Sequence, residues 1–116
     1  VVKNFIIKGA RFLTVQANVA WLQNSSGVRQ FFEIAKLRAV ENRTGIAISA
    51  NTGISGIINP LGMATHKILF NKQEVIKGEV FLNNKVTFYS KYGNVFSKIC
   101  FLFIILCFVF VKLKRI

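Results

Sequence analysis

Apolar residues recur with two different periods over the first 94 positions of the chain. Short alternating or continuous apolar runs are typical of strands, whereas a spacing of three and four residues is typical of an amphipathic helix. The sequence predicts helices at about 1–9 and 28–43, and strands at about 11–17, 46–50, 54–59, 63–69 and 75–82. This order predicts an α/β fold in which helices cover one face of a sheet.

The predicted helix at 28–43 is amphipathic. Its predicted buried stripe consists of Phe31, Ile34, Ala35 and Val40, and its polar side carries Arg29, Glu33 and Lys36. Glu33 has the helical spacing to form an ion pair with either Arg29 or Lys36. Gly45 follows the helix as a stop signal.

Turn residues separate the predicted strands. The segment Asn51 to Gly53 predicts a turn that needs positive φ. Pro60-Leu61-Gly62 predicts a hairpin, and residues 83–94 are predicted to form a polar loop. A sheet of this kind is expected to expose an unprotected edge and an uncovered face.

An uncharged apolar run from Ile99 to Val111 lies near the C-terminus. Extended back to Val95, it gives about 25 Å of helix, which is just enough to cross a bilayer. A buried core helix is the alternative, but a helix that is apolar on every side needs a large protein around it. The sequence therefore predicts a globular region at 1–94, a transmembrane helix at 95–111 and a basic cytoplasmic tail at 112–116.

The chain is strongly basic, with a net charge of +12 from 16 Lys and Arg residues against four acidic residues. Such a charge commonly indicates nucleic acid or an anionic surface as the partner. Here the basic residues are scattered, and the one tight cluster is the sequence Lys-Leu-Lys-Arg at 112–115. We therefore expect no nucleic-acid binding, and contact with anionic lipid through this cluster stays open.

Few residues could carry covalent chemistry. Both cysteines, Cys100 and Cys107, lie in the apolar run, where small apolar packing residues are expected. His66 is the single histidine and has no acidic or thiol partner near it in sequence, so a metal or base role is not predicted. The sequence predicts neither a metal site nor a cofactor.

Four segments carry a resemblance to a known family: Ala-Asn-Val-Ala-Trp-Leu, Leu-Arg-Ala-Val-Glu-Asn-Arg, Ala-Asn-Thr-Gly-Ile-Ser-Gly and Thr-Phe-Tyr-Ser-Lys-Tyr-Gly-Asn. They resemble the nitrilase, or carbon–nitrogen hydrolase, superfamily and, more narrowly, the C-terminal part of the apolipoprotein N-acyltransferases. The matching residues are Asn18, Trp21, Arg38, Ala39, Glu41, Asn51, Gly53, Ser55, Thr87, Tyr89, Gly93 and Asn94. Val19, Leu22, Phe88 and Lys91 depart from the family pattern. The last segment, directly before a membrane helix, separates the acyltransferases from soluble nitrilases.

The resemblance implies about half of an α-β-β-α sandwich followed by a transmembrane helix. It implies a Glu–Lys–Cys triad in which cysteine takes an acyl chain from a phospholipid and passes it to the N-terminal amine of a lipoprotein. None of the residues present matches a triad motif. The triad is therefore expected upstream of Val1, and the chain alone is expected to be inactive. The resemblance also implies the bacterial inner membrane, with the globular part facing outward, and a missing upstream half as a partner.

Two residues are candidates for a substrate pocket. Asn18 and Trp21 would form a pocket wall, with the indole against the acyl chain, or would merely pack the loop; the sequence leaves both open. Arg38 and Glu41 are expected to form a structural ion pair, and Asn51 and Gly53 a turn.

Tyr89 and Gly93 match the family motif and are expected to have structural roles.

Two alternative functions remain open. The chain could be a fragment of a soluble-type nitrilase that acts on amides, or a small basic membrane protein that is not an enzyme.

Overall fold

A computed structural model describes residues 2–23 and 26–114 of the protein. Within these residues the elements are α1 (Val2–Ile7), β1 (Leu13–Ala17), a one-turn 3₁₀ helix (Ala20–Leu22), α2 (Ser26–Asn42), β2 (Ile46–Ala50), β3 (Ser55–Ile58), β4 (Ala64–Ile68), α3 (Phe88–Tyr92) and α4 (Val95–Lys114). The predictions that fall on Val1, Arg115 and Ile116 lie outside the described residues.

The four strands form one mixed sheet in the order β1-β2-β3-β4. β1 and β2 are parallel, with Leu13 opposite Ile46, and α2 is the crossover between them. The other two pairs are antiparallel. The hairpin between β3 and β4 is closed by the amide of Asn59, which donates to the carbonyl of Met63 at 2.9 Å. Gly62 supplies the positive φ of 79° in this turn. The predicted α/β class is confirmed.

The core lies between α2 and one face of the sheet. The buried side chains of the helix are Val28, Phe32, Ala35, Ala39 and Asn42, which follow the spacing of a helical stripe. The predicted stripe is only partly correct: Ala35 is buried and Phe31 is half-buried, but Ile34 is 51% exposed and Val40 is 38% exposed. The small side chains of Ala35 and Ala39 let α2 approach Ile46, Ile48 and Ile58 closely.

The predicted strand at 75–82 is wrong, because residues 73–84 form neither helix nor strand. The segment crosses the second face of the sheet instead of extending its edge. A Cβ placed on Gly78 would lie 2.8 Å from Cδ1 of Ile57, in the middle of that face. One backbone hydrogen bond joins the segment to the start of each of two strands. The amide of Gly45, before β2, donates to the carbonyl of Phe81 at 3.2 Å, and the amide of Asn83 donates to the carbonyl of Arg11, before β1, at 2.7 Å.

Much of the second face remains open. The side chains that β1 and β2 present there, Thr14, Gln16 and Ser49, are exposed. The edge strand β4 is also exposed from residue 64 to residue 67. Both features match the expected uncovered face and unprotected edge of an incomplete layer.

A short helix, α3, replaces the central part of the predicted polar loop at 83–94. Thr87 is its N-cap, and the Thr87 side chain accepts a hydrogen bond from the amide of Ser90 at 3.0 Å. Gly93 ends the helix with a φ of 71°. Two residues later α4 begins, and it extends as far as Lys114, so the first residues of the predicted tail are helical.

α4 is the one described helix that is long and apolar enough to cross a bilayer. Its 20 residues correspond to about 30 Å, and none of them is buried against the rest of the protein. A helix of this length whose apolar residues are not buried in the protein is typical of a membrane span.

Candidate functional site

Two asparagines lie side by side at the carboxyl ends of β1 and β2. Because these strands are parallel and Ala17 is in register with Ala50, the residues that follow them emerge at the same edge of the sheet. The side-chain amide of Asn51 donates to Oδ1 of Asn18 at 2.8 Å. We call these two residues the asparagine corner. Ligands of α/β sheets commonly bind at this kind of edge.

The asparagine corner holds the two neighbouring loops together. Oδ1 of Asn51 accepts from the amides of Val19 at 3.1 Å and Thr52 at 2.8 Å. Oδ1 of Asn18 also accepts from the amide of Ala20 at 3.2 Å. Side-chain amides bind by hydrogen bonds but provide neither a nucleophile nor a base at neutral pH. The corner is therefore suited to binding and positioning rather than to covalent chemistry.

Gly53 has a role in this region that differs from the predicted one. The expected positive φ is wrong, since neither Asn51 nor Gly53 has a positive φ. A Cβ on Gly53 would lie 2.4 Å from Cγ2 of Val19 and 2.9 Å from Cβ of Ala50. Glycine is needed because the loop after β2 passes directly over the buried Val19 side chain.

Trp21 is 77% exposed. Its Nε1 donates to the carbonyl of Asn18 at 3.2 Å, which fixes one edge of the indole to the loop. The apolar faces of the ring are left in contact with solvent. Because the ring is so exposed, apolar packing within the loop does not account for its position.

Two cavities border the open face of the sheet, with volumes of about 490 and 640 Å³. The first is lined by Thr14, Gln16, Ser49 and Glu74, among others. Neither cavity includes Asn18 or Trp21. Among residues 2–23 and 26–114, no group of three or more His, Cys, Asp or Glu side chains could hold a metal ion. His66 is an exposed residue on β4.

A second polar cluster joins the C-terminal end of α2 to α3, and we call it the α2–α3 junction. Oγ of Ser90 donates to Oδ1 of Asn42 at 2.7 Å, and both residues are buried. Nδ2 of Asn42 donates to the carbonyl of Arg38 at 2.8 Å. Oγ1 of Thr87 donates to the carbonyl of Glu41 at 2.7 Å. These bonds hold α3, and with it the start of α4, against the globular region.

The predicted ion pair of Arg38 and Glu41 lies on the surface of this junction, with Nη1 and Oε2 at 2.6 Å. The hydrogen bond with Glu41 is the main cause that raises the pKa of Arg38 above its ordinary value, and a hydrogen bond with Tyr89 adds to it. Tyr89 thus contacts the same helix end as Ser90. The second predicted helical pair also forms, between Lys36 and Glu33 at 2.7 Å.

Comparison with known proteins identifies several apolipoprotein N-acyltransferases as relatives. No family model matches the chain. A curated apolipoprotein N-acyltransferase of Geobacter metallireducens is 36% identical over 96 residues, which is 83% of this chain. That of Wigglesworthia glossinidia brevipalpis is 37% identical over 109 residues, or 90% of the chain. That of Rickettsia bellii is 42% identical over 79 residues, or 67% of the chain.

The chain is homologous to the apolipoprotein N-acyltransferases. The resemblance inferred from the sequence motifs is therefore confirmed. The matched segment covers 18%, 21% and 16% of these three N-acyltransferases, so the chain spans about a fifth of their length. The similarity thus concerns one part of an N-acyltransferase.

Several residues of the α2–α3 junction were not among the candidates from the sequence. Asn42 and Ser90 are 1% and 0% exposed, yet polar side chains in a helix and in a loop-like segment give no signal of burial. Thr87 belongs to the segment that resembles the N-acyltransferases, and the resemblance does not indicate that it caps a helix. A threonine three residues before Ser90 and a glycine at 93 are the start and stop signals that could have revealed α3.

Proposed function

We propose that this chain forms the C-terminal part of the catalytic domain of an apolipoprotein N-acyltransferase, together with its membrane anchor. The observation that carries the proposal is the 37% identity over 90% of the chain with a relative of that name. In this proposal residues 1–94 are about half of a nitrilase-like sandwich, whose open face is completed by another part of the enzyme. The incomplete cover of the second face and the exposed edge strand β4 support such an arrangement.

α4 is proposed to span the inner membrane of a bacterium. Its apolar side chains are exposed from Phe101 to Leu113, as Phe101 and Phe108 illustrate. Lys112 and Lys114 follow the apolar run, and we place this end on the cytoplasmic side, as the resemblance to the N-acyltransferases implies. The globular region then lies on the outer side, where a lipoprotein substrate is presented. This membrane anchor is the feature that disfavours the alternative of a soluble amidase fragment.

The proposed reaction transfers an acyl chain from a phospholipid to the N-terminal amine of a lipoprotein. An acyl-thioester route requires a cysteine with a base within hydrogen-bond reach. Cys100 and Cys107 lie on α4, away from the sheet. The hydroxyls of Ser55 and Ser90 are engaged with Ala50 and Asn42. We propose that the Glu–Lys–Cys triad is supplied by the remaining part of the enzyme.

Asn18 and Trp21 are proposed to form part of the wall of the acyl-chain pocket. The indole is exposed and held at one edge, so both of its faces can contact a hydrocarbon chain. The asparagine corner fixes the loop that carries the indole. A fixed aromatic ring loses little conformational freedom when a ligand binds.

The expected result for the isolated chain is no N-acyltransferase or amidase activity. Purified chain in detergent is incubated with phospholipid and a diacylated lipopeptide, and the product is followed by its mass. The lipopeptide should remain unmodified, because no activated nucleophile is available. Acylated lipopeptide above the no-enzyme background, and its loss when Cys100 and Cys107 are both replaced by alanine, would overturn the proposal.

A further inference from the structure

Basic and aromatic side chains lie close to the domain end of α4. On α3, Phe88 and Tyr92 are one helical turn apart, with ring centroids separated by 4.8 Å, and both are exposed. Ser90, on the opposite side of this short helix, is the residue buried against Asn42. α3 therefore directs its aromatic side away from the globular region.

Three lysines accompany these rings. Nζ of Lys91 lies 5.3 Å from the ring centroid of Tyr92. Nζ of Lys3, on α1, lies 3.0 Å from the position that a Cβ on Gly93 would take. Lys98 is exposed in the first turn of α4.

The connection to α4 places this group at the membrane surface. Only two residues separate Tyr92 from Val95, and Oδ1 of Asn94 accepts from the amide of Ser97 at 3.2 Å, which caps the helix. From Val95 to the start of the uncharged run at Ile99 is about 6 Å along a helix axis. If α4 spans the bilayer, α3 lies at the level of the lipid headgroups.

We infer that Lys3, Phe88, Lys91, Tyr92 and Lys98 form a collar at the domain end of α4 that binds the headgroups of anionic phospholipids. The inference rests on the proposed membrane span but not on the proposed reaction. Aromatic rings are enriched at the headgroup level of bilayers, and lysines beside a membrane are attracted to anionic lipid.

The lysine charges of the collar are available to bind anionic headgroups. Within the part of the chain that the structure describes, the ion pairs with carboxylates involve Lys36 and Arg38, and neither involves a lysine of the collar. Glu41, the acidic residue of the α2–α3 junction, is already paired with Arg38. An anionic headgroup is therefore the complementary partner at this level of the bilayer.

The test measures which lipid surrounds the collar. The full chain carries Trp21→Phe and Phe88→Trp, so that its single tryptophan reports from α3. It is reconstituted in phosphatidylcholine vesicles that contain equal fractions of brominated phosphatidylglycerol or brominated phosphatidylcholine. Brominated phosphatidylglycerol is expected to quench the fluorescence about threefold more strongly, because lysines beside a membrane enrich anionic lipid locally. The basic tail does not contribute, since it lies at the other end of α4.

Two triple variants share the same loss of charge. Lys3→Gln, Lys91→Gln and Lys98→Gln together should abolish the difference between the two brominated lipids. The control, Arg29→Gln, Lys72→Gln and Lys77→Gln, changes exposed residues away from α4 and should retain the difference.

Equal quenching by both lipids before any lysine is changed would overturn the collar, as would a difference that survives the collar substitutions. Carbonate extraction of the same vesicles reports separately on the span. Chain that resists extraction but shows equal quenching contradicts the collar alone, whereas chain that is extracted contradicts the span and the collar together.

Discussion

The double substitution Ile104→Lys and Phe108→Lys is expected to remove the chain from membranes. Both residues lie in the middle of α4 on one side of the helix, and Phe108 is 76% exposed. A lysine at the centre of a spanning helix costs about 2.5–3.5 kcal/mol, whereas each large apolar residue favours insertion by about 0.3–0.6 kcal/mol. Two lysines therefore offset most or all of the insertion free energy of the apolar run.

The measurement is flotation of membranes on a density gradient after carbonate extraction. Unsubstituted chain should float with the membranes, and the lysine variant should remain at the bottom as soluble or aggregated protein. Ile104→Leu with Phe108→Leu is the matched control and should float. A lysine variant that floats as well as the control would show that α4 is not the anchor.

Phe32→Ala is expected to cause the largest loss of stability in the globular region. The side chain is 1% exposed and packs between α2 and the sheet, where its ring approaches Gly56 of β3. It also lies beneath Nζ of Lys67, at 5.4 Å from the ring centroid. Loss of a buried phenylalanine costs about 3–5 kcal/mol, a large share of the roughly 5–15 kcal/mol that stabilises a typical domain.

Amide hydrogen exchange in β2 and β3 of the full chain in detergent measures this loss. A cost of about 3 kcal/mol corresponds to exchange faster by roughly a hundredfold. Phe31→Ala is the matched control. Because Phe31 is only half-buried, its replacement should accelerate exchange far less than that of Phe32. Equal effects of the two substitutions, or a larger effect at Phe31, would contradict the observed orientation of α2.

The contrast between Phe31 and Phe32 shows where sequence reasoning about the helix fails. Apolar residues occur on more than one side of α2, so two stripes with a helical period compete. The choice between them depends on the partner: the closely packed sheet favours the side with Ala35 and Ala39, whose small side chains carry little hydrophobic signal. Periodicity located the helix correctly but could not select its buried side.

The segment 75–82 shows a different limit. Its two short apolar runs, Val75-Ile76 and Val80-Phe81-Leu82, have strand character. A strand also needs a partner with free backbone groups along its length. In the structure the segment lies across the face of the sheet, where Phe81 accepts from the amide of Gly45, and the next backbone bond to the sheet side is from Asn83 to Arg11. The strands that were predicted well, such as Ile46–Ala50, lie beside a partner and have a fully apolar buried face.

The candidate site was partly accessible from the sequence. Asn18 and Asn51 were each singled out by family motifs, and their direct contact follows from the parallel pairing of β1 and β2, which the motifs alone do not specify. The α2–α3 junction was not accessible, because its buried Asn42 and Ser90 depend on a helix that was predicted as a loop. Long-range polar pairs of this kind emerge only when two elements have been placed in space.

The central claim is that the chain completes an N-acyltransferase, and co-expression with the rest of such an enzyme tests it most directly. The part of the Geobacter metallireducens relative that lies outside the matched segment is produced in the same cells, alone and together with this chain. Membranes are then given phospholipid and a diacylated lipopeptide, and the mass of the product is measured.

We predict acylated lipopeptide when both pieces are present and none with either piece alone. Trp21→Ala should reduce the restored activity if the indole lines the acyl pocket. Absence of product although both pieces are present in the membrane, or full product without this chain, would contradict the claim.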